Sequence, residues 1–296
     1  MRDFILFFEE KEGTSAMMRW ADRFENVRVV HHQNGRGWEP LEPYHLGFDV
    51  RQQEVETLLN LIYTQPRDFE SLKAAYAEKV PERKLVSLPS DVSVGLKMRW
   101  KPPRVVHVGA DAIDLPVNRV FKRQRYRAYR EYMAEMLHEN NVVPMLAVRQ
   151  NIFKWALSKY HGDGKGKAGH LQFRLASGAI SKADIPKIHV DLKRFGRLVD
   201  QCRRKHDRKR EFVTWMQSQG LGVKPLLYES FLNQPVDFFG GFLEELGHES
   251  DPLEIQSILT QDMELQRVHS GALHEYVDNH LELEEAFGNC FESWPE

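Results

Sequence analysis

The sequence predicts an α/β protein in which a mostly parallel central sheet is flanked by helices on both faces. Three observations carry that prediction. Short apolar runs alternate with longer stretches of helical periodicity, and strands separated by helices pair in parallel. The runs ending at Phe8 and Val148 are apolar at consecutive positions, as expected of strands covered on both faces. Hydrophobic residues make up 42% of the 296 positions, enough for a packed core.

The elements follow in order. Asp3–Phe8 reads as a buried strand, Glu9–Ser15 as a polar turn and Ala16–Phe24 as an amphipathic helix. Val27–His32 is a second strand. His31 and His32 are adjacent on it, so their rings point to opposite faces and do not suggest a metal site. A loop with Gly and Pro runs from Gln33 to about Phe48. Glu54–Tyr63 and Asp68–Lys79 look helical. Val94–Trp100 is a strand closed by Pro102 and Pro103, and Val105–Val108 is a further apolar run. Arg119–Asn140 is a charged helix with Tyr126, Tyr129, Met133 and Leu137 at helical spacing. Val142–Val148 is a buried strand with Pro144 near its start. Ile152–Tyr160 is a helix, and Gly162–Gly169 a glycine-rich loop. Ile188–Gln219 is a long basic helix, in which the run Lys193–Arg210 reads as a solvated charged face. Lys224–Glu229 is a late strand, and helices follow to about Phe287. No internal repeat is visible.

Charge and composition narrow the function. The 41 Lys and Arg against 43 Asp and Glu give a net charge of −2, which argues against a generally basic nucleic-acid binder but not against a local basic pocket. The two cysteines, Cys202 and Cys290, lie far apart without metal spacing and fit a reducing compartment. No apolar run is long enough for a signal peptide core or a membrane span, so the expectation is a soluble cytoplasmic protein with no transmembrane segment.

The first candidate site is the turn Lys11-Glu12-Gly13-Thr14-Ser15 between a strand and a helix. Unpaired N–H groups at a helix start, together with the helix dipole, favour an anion there. Gly13 permits close approach of the backbone. Thr14 and Ser15 add hydroxyls, and Lys11 adds a charge. No G-x-x-x-x-G-K-[ST] string occurs, so this is not the ATP/GTP loop. Glu12 is a discordant note, because a carboxylate beside a dianion is unfavourable unless it points away. The second candidate is Arg149, at a strand's carboxyl end where open α/β sheets bind ligands. With Ser158 on the following helix, it can converge on one phosphate through a planar fork and a hydroxyl. The plainer alternative is that Arg149 caps local carbonyls and Ser158 is an ordinary helix residue.

These motifs, in order, resemble those of sulfotransferases that use 3′-phosphoadenosine 5′-phosphosulfate (PAPS), in particular the bacterial branch acting on small molecules and carbohydrates. Lys11–Ser15 resembles the family's 5′-phosphosulfate loop, and Val148–Ser158 its 3′-phosphate motif. Leu227–Pro235 with Phe238–Gly247 resembles its Y-E-D-L-x-x-x-P segment. Gly95-Leu96-Lys97-Met98 resembles the branch's G-x-K strand, and Leu273–Phe287, with Asn279, its closing helix. The resemblance implies a three-layer, P-loop-like fold forming a single domain over residues 1–296. Regions 35–93, 101–125 and 161–185 would be insertions that carry substrate choice. It implies a sulfotransferase moving a sulfuryl group from PAPS to an acceptor hydroxyl on a carbohydrate, lipid headgroup or small alcohol. Adenosine 3′,5′-bisphosphate would be the product, and neither metal nor nucleic acid would be needed. Lys11 would meet the bridging oxygen. The N–H groups of Gly13, Thr14, Ser15 and Ala16, with two hydroxyls, would hold the 5′-phosphate, and Arg149 and Ser158 the 3′-phosphate. The general base falls in the loop Gly37–His45, where Glu42 fits best, with Glu39 and His45 behind it. Trp38 and Tyr44 would suit stacking on a sugar or other ring, and equally suit a place in the core. Arg267, His269 and Ser270 precede the closing helix without the family's usual Arg-Lys-Gly string. Two other readings remain: a non-catalytic nucleotide-binding protein of the same fold, and a nucleotide-dependent phosphotransferase.

Overall fold

The computed structural model describes residues 1–33, 39–41, 52–99, 116–162, 181, 187–260 and 272–294. The strands are β1 (Phe4–Phe8), β2 (Val27–Val29), β3 (Ser93–Arg99), β4 (Val143–Val148) and β5 (Lys224–Leu227). The helices are α1 (Thr14–Ala21), α2 (Gln52–Tyr63), α3 (Phe69–Lys79), α4 (Pro116–Glu139), α5 (Ile152–Gly162), α6 (Leu192–Ser218), α7 (Tyr228–Asn233), α8 (Pro235–Glu245), α9 (Pro252–Thr260) and α10 (His280–Phe287). A short 3₁₀ turn covers Leu273–Glu275.

The strand order is β2-β3-β1-β4-β5, and every described pair is parallel. The sequence expectation of an α/β fold with a mostly parallel sheet between helices holds. β1 lies at the centre, with β3 on one side and β4 on the other. The chain leaves β1 towards β2 and leaves β4 towards β5, so the connections diverge above the carboxyl ends of β1 and β4. That divergence opens a crevice where doubly wound sheets place ligands.

Alternation along β1 explains why the sheet is covered twice. Ile5 and Phe7 join one apolar cluster with Val94, Leu96 and Met98 of β3 and residues of α2, α3, α4 and α6. Phe4, Leu6 and Phe8 join the other, with residues of α1 and α8. A third cluster forms between α5, α6 and α10. Phe4 faces Gly95 in the pairing register, and a side chain on Gly95 would collide with its ring. At the amino end of β1, buried Asp3 accepts from one terminal nitrogen of the Arg67 guanidinium through both of its oxygens, at 2.5 and 2.6 Å. It also accepts the Val94 N–H at 2.7 Å, which fixes the register of β1 against β3. No described helix is long and apolar enough to cross a membrane.

Element ends differ from the sequence reading for local reasons. The basic helix begins at Leu192 rather than Ile188, because Asp191 caps it by accepting the Arg194 N–H at 2.8 Å. The last strand ends at Leu227, and Tyr228 and Glu229 open α7. The second strand ends at Val29. The histidine rings after it diverge as expected, His31 to Asp22 at 3.1 Å and His32 to the Tyr76 hydroxyl at 2.6 Å. The apolar run 105–108 and the glycine-rich loop from 163 lie outside the described residues.

Candidate functional site

The crevice between β1 and β4 is bounded by two connections. The turn from Glu9 to Gly13 carries two residues in the left-handed region, Lys11 at φ 66° and Gly13 at φ 76°. Gly13 is required twice over. Its φ suits glycine, and a methyl group there would run into the Tyr228 ring. α1 starts immediately after. The Ala16 and Met17 N–H groups donate to the Gly13 carbonyl at 3.0 and 3.2 Å. Among the described residues, the N–H groups of Gly13, Thr14 and Ser15 donate to nothing. No acidic residue occupies the first turn of α1. Three backbone donors and a helix dipole therefore face the crevice.

Glu12 points away from them. It is buried and accepts the Glu9 N–H at 2.7 Å and a hydrogen bond from the Lys209 ammonium. Lys209 also donates to the Ala147 carbonyl at 2.5 Å, and its ammonium lies 5.4 Å from the Trp155 ring centre. Burial pushes the Glu12 carboxyl up and the Lys209 ammonium down from their ordinary values, and each charge opposes the other's shift. The other two acids of the turn are neutralised as well. Glu9 meets Lys205 at 2.5 Å, and Glu10 meets Arg99 at 2.6 Å.

This corrects the expectation of a solvated face at Lys209 and in part at Lys205, while Lys193, Arg197, Arg203, Arg204 and Arg208 are exposed as expected. The buried side of α6 runs Phe195, Leu198, Val199, Cys202, His206, Lys209, Phe212, Met216. That is one stripe at helical spacing, and two of its positions are polar where it passes under the turn. His206 is one of them. Its Nε2 lies 2.9 Å from the Arg149 carbonyl, and burial brings its pKa down to about 4, so it donates there as a neutral ring. Burial likewise pushes the Cys202 thiol up to about 12, far from a reactive thiolate.

Arg149, directly after β4, reaches back to the turn. Its guanidinium donates to the Lys11 carbonyl at 2.9 Å and stacks 4.6 Å from the centre of the Tyr228 ring. Its Nε is buried without a partner, and burial lowers its pKa. Glu229 accepts the Gln150 and Asn151 N–H groups at 3.0 Å each, which ties α7 to the start of α5. The Tyr228-Glu229 pair is thus structural towards both connections. Ser158 is half-buried on α5, and among the described residues its hydroxyl has no partner. Lys11 is exposed, and its ammonium is unpaired among the described residues.

Sequence reading passed over Lys97 as a site residue. It is buried in β3 opposite Leu6, over the Phe8 ring at 4.3 Å. It donates to the Ser15 hydroxyl at 2.7 Å and to the Glu39 carboxylate. A lone lysine in an otherwise apolar strand was the available signal. Glu39 therefore sits beside the start of α1. Glu42, His45, Trp38, Tyr44, Arg267, His269 and Ser270 lie outside the described residues. Asn279 fastens the closing segment, exchanging two 2.9 Å hydrogen bonds with the Val190 backbone.

The fold and site define an α/β protein with a strand–turn–helix whose first N–H groups are unspent among the described residues, facing an arginine across the centre of a parallel sheet. No protein-family model and no curated protein matches the chain. Among solved structures, it is similar to a sulfotransferase from Alicyclobacillus acidocaldarius, with 15% identity over 88% of this chain and 90% of that one, at a TM-score of 0.37. It is also similar to a sulfotransferase from Mycobacterium avium, with 12% identity over 97% of this chain and 75% of that one, at a TM-score of 0.37. At such scores the functional reading rests on the chain's own residues.

Proposed function

We propose that this protein is a sulfotransferase that moves a sulfuryl group from PAPS to an acceptor hydroxyl. One observation carries the reading: the unspent N–H groups of Gly13, Thr14 and Ser15 face a crevice bounded by Arg149. The buried Arg149 Nε lacks an acceptor. The unspent N–H groups and this arginine together fit a nucleotide with two separate anionic groups. PAPS would supply the activated sulfuryl group and leave as adenosine 3′,5′-bisphosphate.

The chain's own residues supply positioning and charge. Gly13, Thr14, Ser15 and the start of α1 at Ala16 hold the 5′ end. Ala16 contributes through the helix dipole, since its own N–H is spent on Gly13. Arg149 and Ser158 hold the 3′-phosphate. Lys11 stabilises negative charge as it develops on the departing phosphate. We assign the general base to Glu42, with Glu39 and His45 as the alternatives. Glu39 gains support from its pairing with Lys97 next to Ser15. The acceptor belongs to the class of carbohydrates, lipid headgroups and small alcohols. We read the chain as a single cytoplasmic domain.

Calorimetry with adenosine 3′,5′-bisphosphate tests the assignment. The parent binds it without metal, and Arg149→Ala weakens binding by ~1.5–3 kcal/mol, the range for hydrogen bonds to charged groups. Equal affinity in the variant removes Arg149 from the 3′-phosphate site. Magnesium-dependent binding of ATP in place of the bisphosphate would favour the phosphotransferase reading. Binding without turnover would favour the non-catalytic one.

Glu42→Gln keeps the side chain's shape and removes the base. Turnover with an identified acceptor falls, while bisphosphate affinity stays the same. If the variant keeps full activity, the role passes to whichever of Glu39 and His45 controls the acid limb of the pH profile.

A further inference from the structure

Charges around the turn do not pair off evenly. Glu9 takes Lys205, Glu12 takes Lys209 and Glu10 takes Arg99. Glu229 is committed to two backbone N–H groups. Among the described residues, three cations at the turn are left with no carboxylate within hydrogen-bond reach: Lys11, which is exposed to solvent, and two that are withdrawn from water, Arg149 and Lys159. The carboxylate nearest Lys159 belongs to Glu10, 3.9 Å away, and that carboxylate is already engaged by Arg99. The Lys159 side chain is 10% exposed. Arg149 has a buried, unpartnered Nε. Burial lowers the pKa of both, and the nearby Lys205 lowers that of Lys159 further. A protein gains nothing in stability from two desolvated, under-compensated cations. Such a pair calls for an anion from outside.

Both side chains lead to the same turn. Arg149 is held to the Lys11 carbonyl, and Lys159 faces Glu10 one residue earlier. Trp155, one helical turn before Lys159, donates its indole N–H to the Glu10 carbonyl at 2.8 Å and keeps α5 against the turn. Lys159 follows Ser158, whose hydroxyl is also unpartnered among the described residues.

We propose that Lys159 is a phosphate-binding residue, forming with Arg149 a two-cation subsite for the ring-borne phosphate of an adenosine 3′,5′-bisphosphate ligand. The inference rests on the proposed function. A phosphate dianion matches two positive charges, and the two side chains offer complementary geometries: Arg149 a planar fork and Lys159 a point charge. A monoanionic carboxylate would leave one cation uncompensated.

The test compares two nucleotides that differ only in this phosphate. The parent and Lys159→Met are titrated calorimetrically with adenosine 3′,5′-bisphosphate and with adenosine 5′-monophosphate at one salt concentration. Lys159→Met is expected to lose at least ~10-fold in bisphosphate affinity and to leave monophosphate affinity unchanged, while Lys159→Arg recovers most of the loss. Thermal denaturation of the ligand-free variant should show no loss of stability, because methionine removes an under-compensated buried charge. If methionine prevents folding, Lys159→Gln takes its place. An unchanged bisphosphate affinity, or equal losses for both nucleotides, overturns the subsite while the PAPS reading stands. A parent that binds both nucleotides equally, or neither, overturns the subsite and the PAPS reading together.

Discussion

Lys11→Ala should lower turnover by ~10²-fold or more while bisphosphate affinity changes little. The side chain is exposed at the mouth of the crevice, and its ammonium is unpaired among the described residues. It is therefore available to charge that appears only as the phosphate departs. Interactions made in the transition state alone act on rate, and loss of one such donor costs about 10²–10³-fold. The turn itself should survive, because Arg149 holds the Lys11 backbone carbonyl and not its side chain. Lysine and alanine are also similarly disfavoured at φ 66°, so the substitution adds no backbone penalty. Single-turnover rates with labelled PAPS, measured beside calorimetry, separate the outcomes. A variant that loses affinity and keeps its rate makes Lys11 a binding residue only.

Lys209→Met should destabilise the fold by ~3–5 kcal/mol, the cost of stranding one member of a buried ion pair. Neither side chain of the Glu12–Lys209 pair is exposed at all. Burial already holds the folded Glu12 carboxyl above its ordinary value of 4.5, and removing Lys209 raises it further. The folded variant then binds more protons than its unfolded chain above about pH 4.5, and its stability falls as pH rises through that window. Urea denaturation at several pH values reads this directly. Adding Glu12→Gln removes the stranded charge, so the double variant should recover most of the loss and lose the added pH dependence. If Lys209→Met denatures like the parent at every pH, the ion pair does not hold the turn.

Much of the candidate site's geometry was legible because it is local. Strand, left-handed glycine and helix start fall within one short stretch, and each has its own residue signature: apolar run, Gly13, Thr14-Ser15. Arg149 was legible from its place at a strand's carboxyl end. What escaped notice came from tertiary contact. Glu12 looked wrong for an anion site because its partner stands 197 residues later. Lys209 looked solvated because a charge count treats every lysine of α6 alike. Only the i+3/i+4 frame set by Phe195, Leu198, Cys202 and Phe212 puts Lys209 inside. Lys97 was hidden within a strand motif, and its link to Ser15 depends on the register of β3 against β1.

The separation between the partners also constrains how the site can come into being. Arg149 bonds to a carbonyl 138 residues before it, and Lys209 to a carboxylate 197 residues before it. Closing such long loops is slow and entropically costly before any contact repays it. On the ribosome, β1 and its turn emerge before α6 and must wait for it to be synthesised. Until then Glu9 and Glu12 stay ionised in water, and their charge repels anions from the nascent helix start. Competence for the proposed nucleotide would thus arrive late in synthesis, when the last lysine docks.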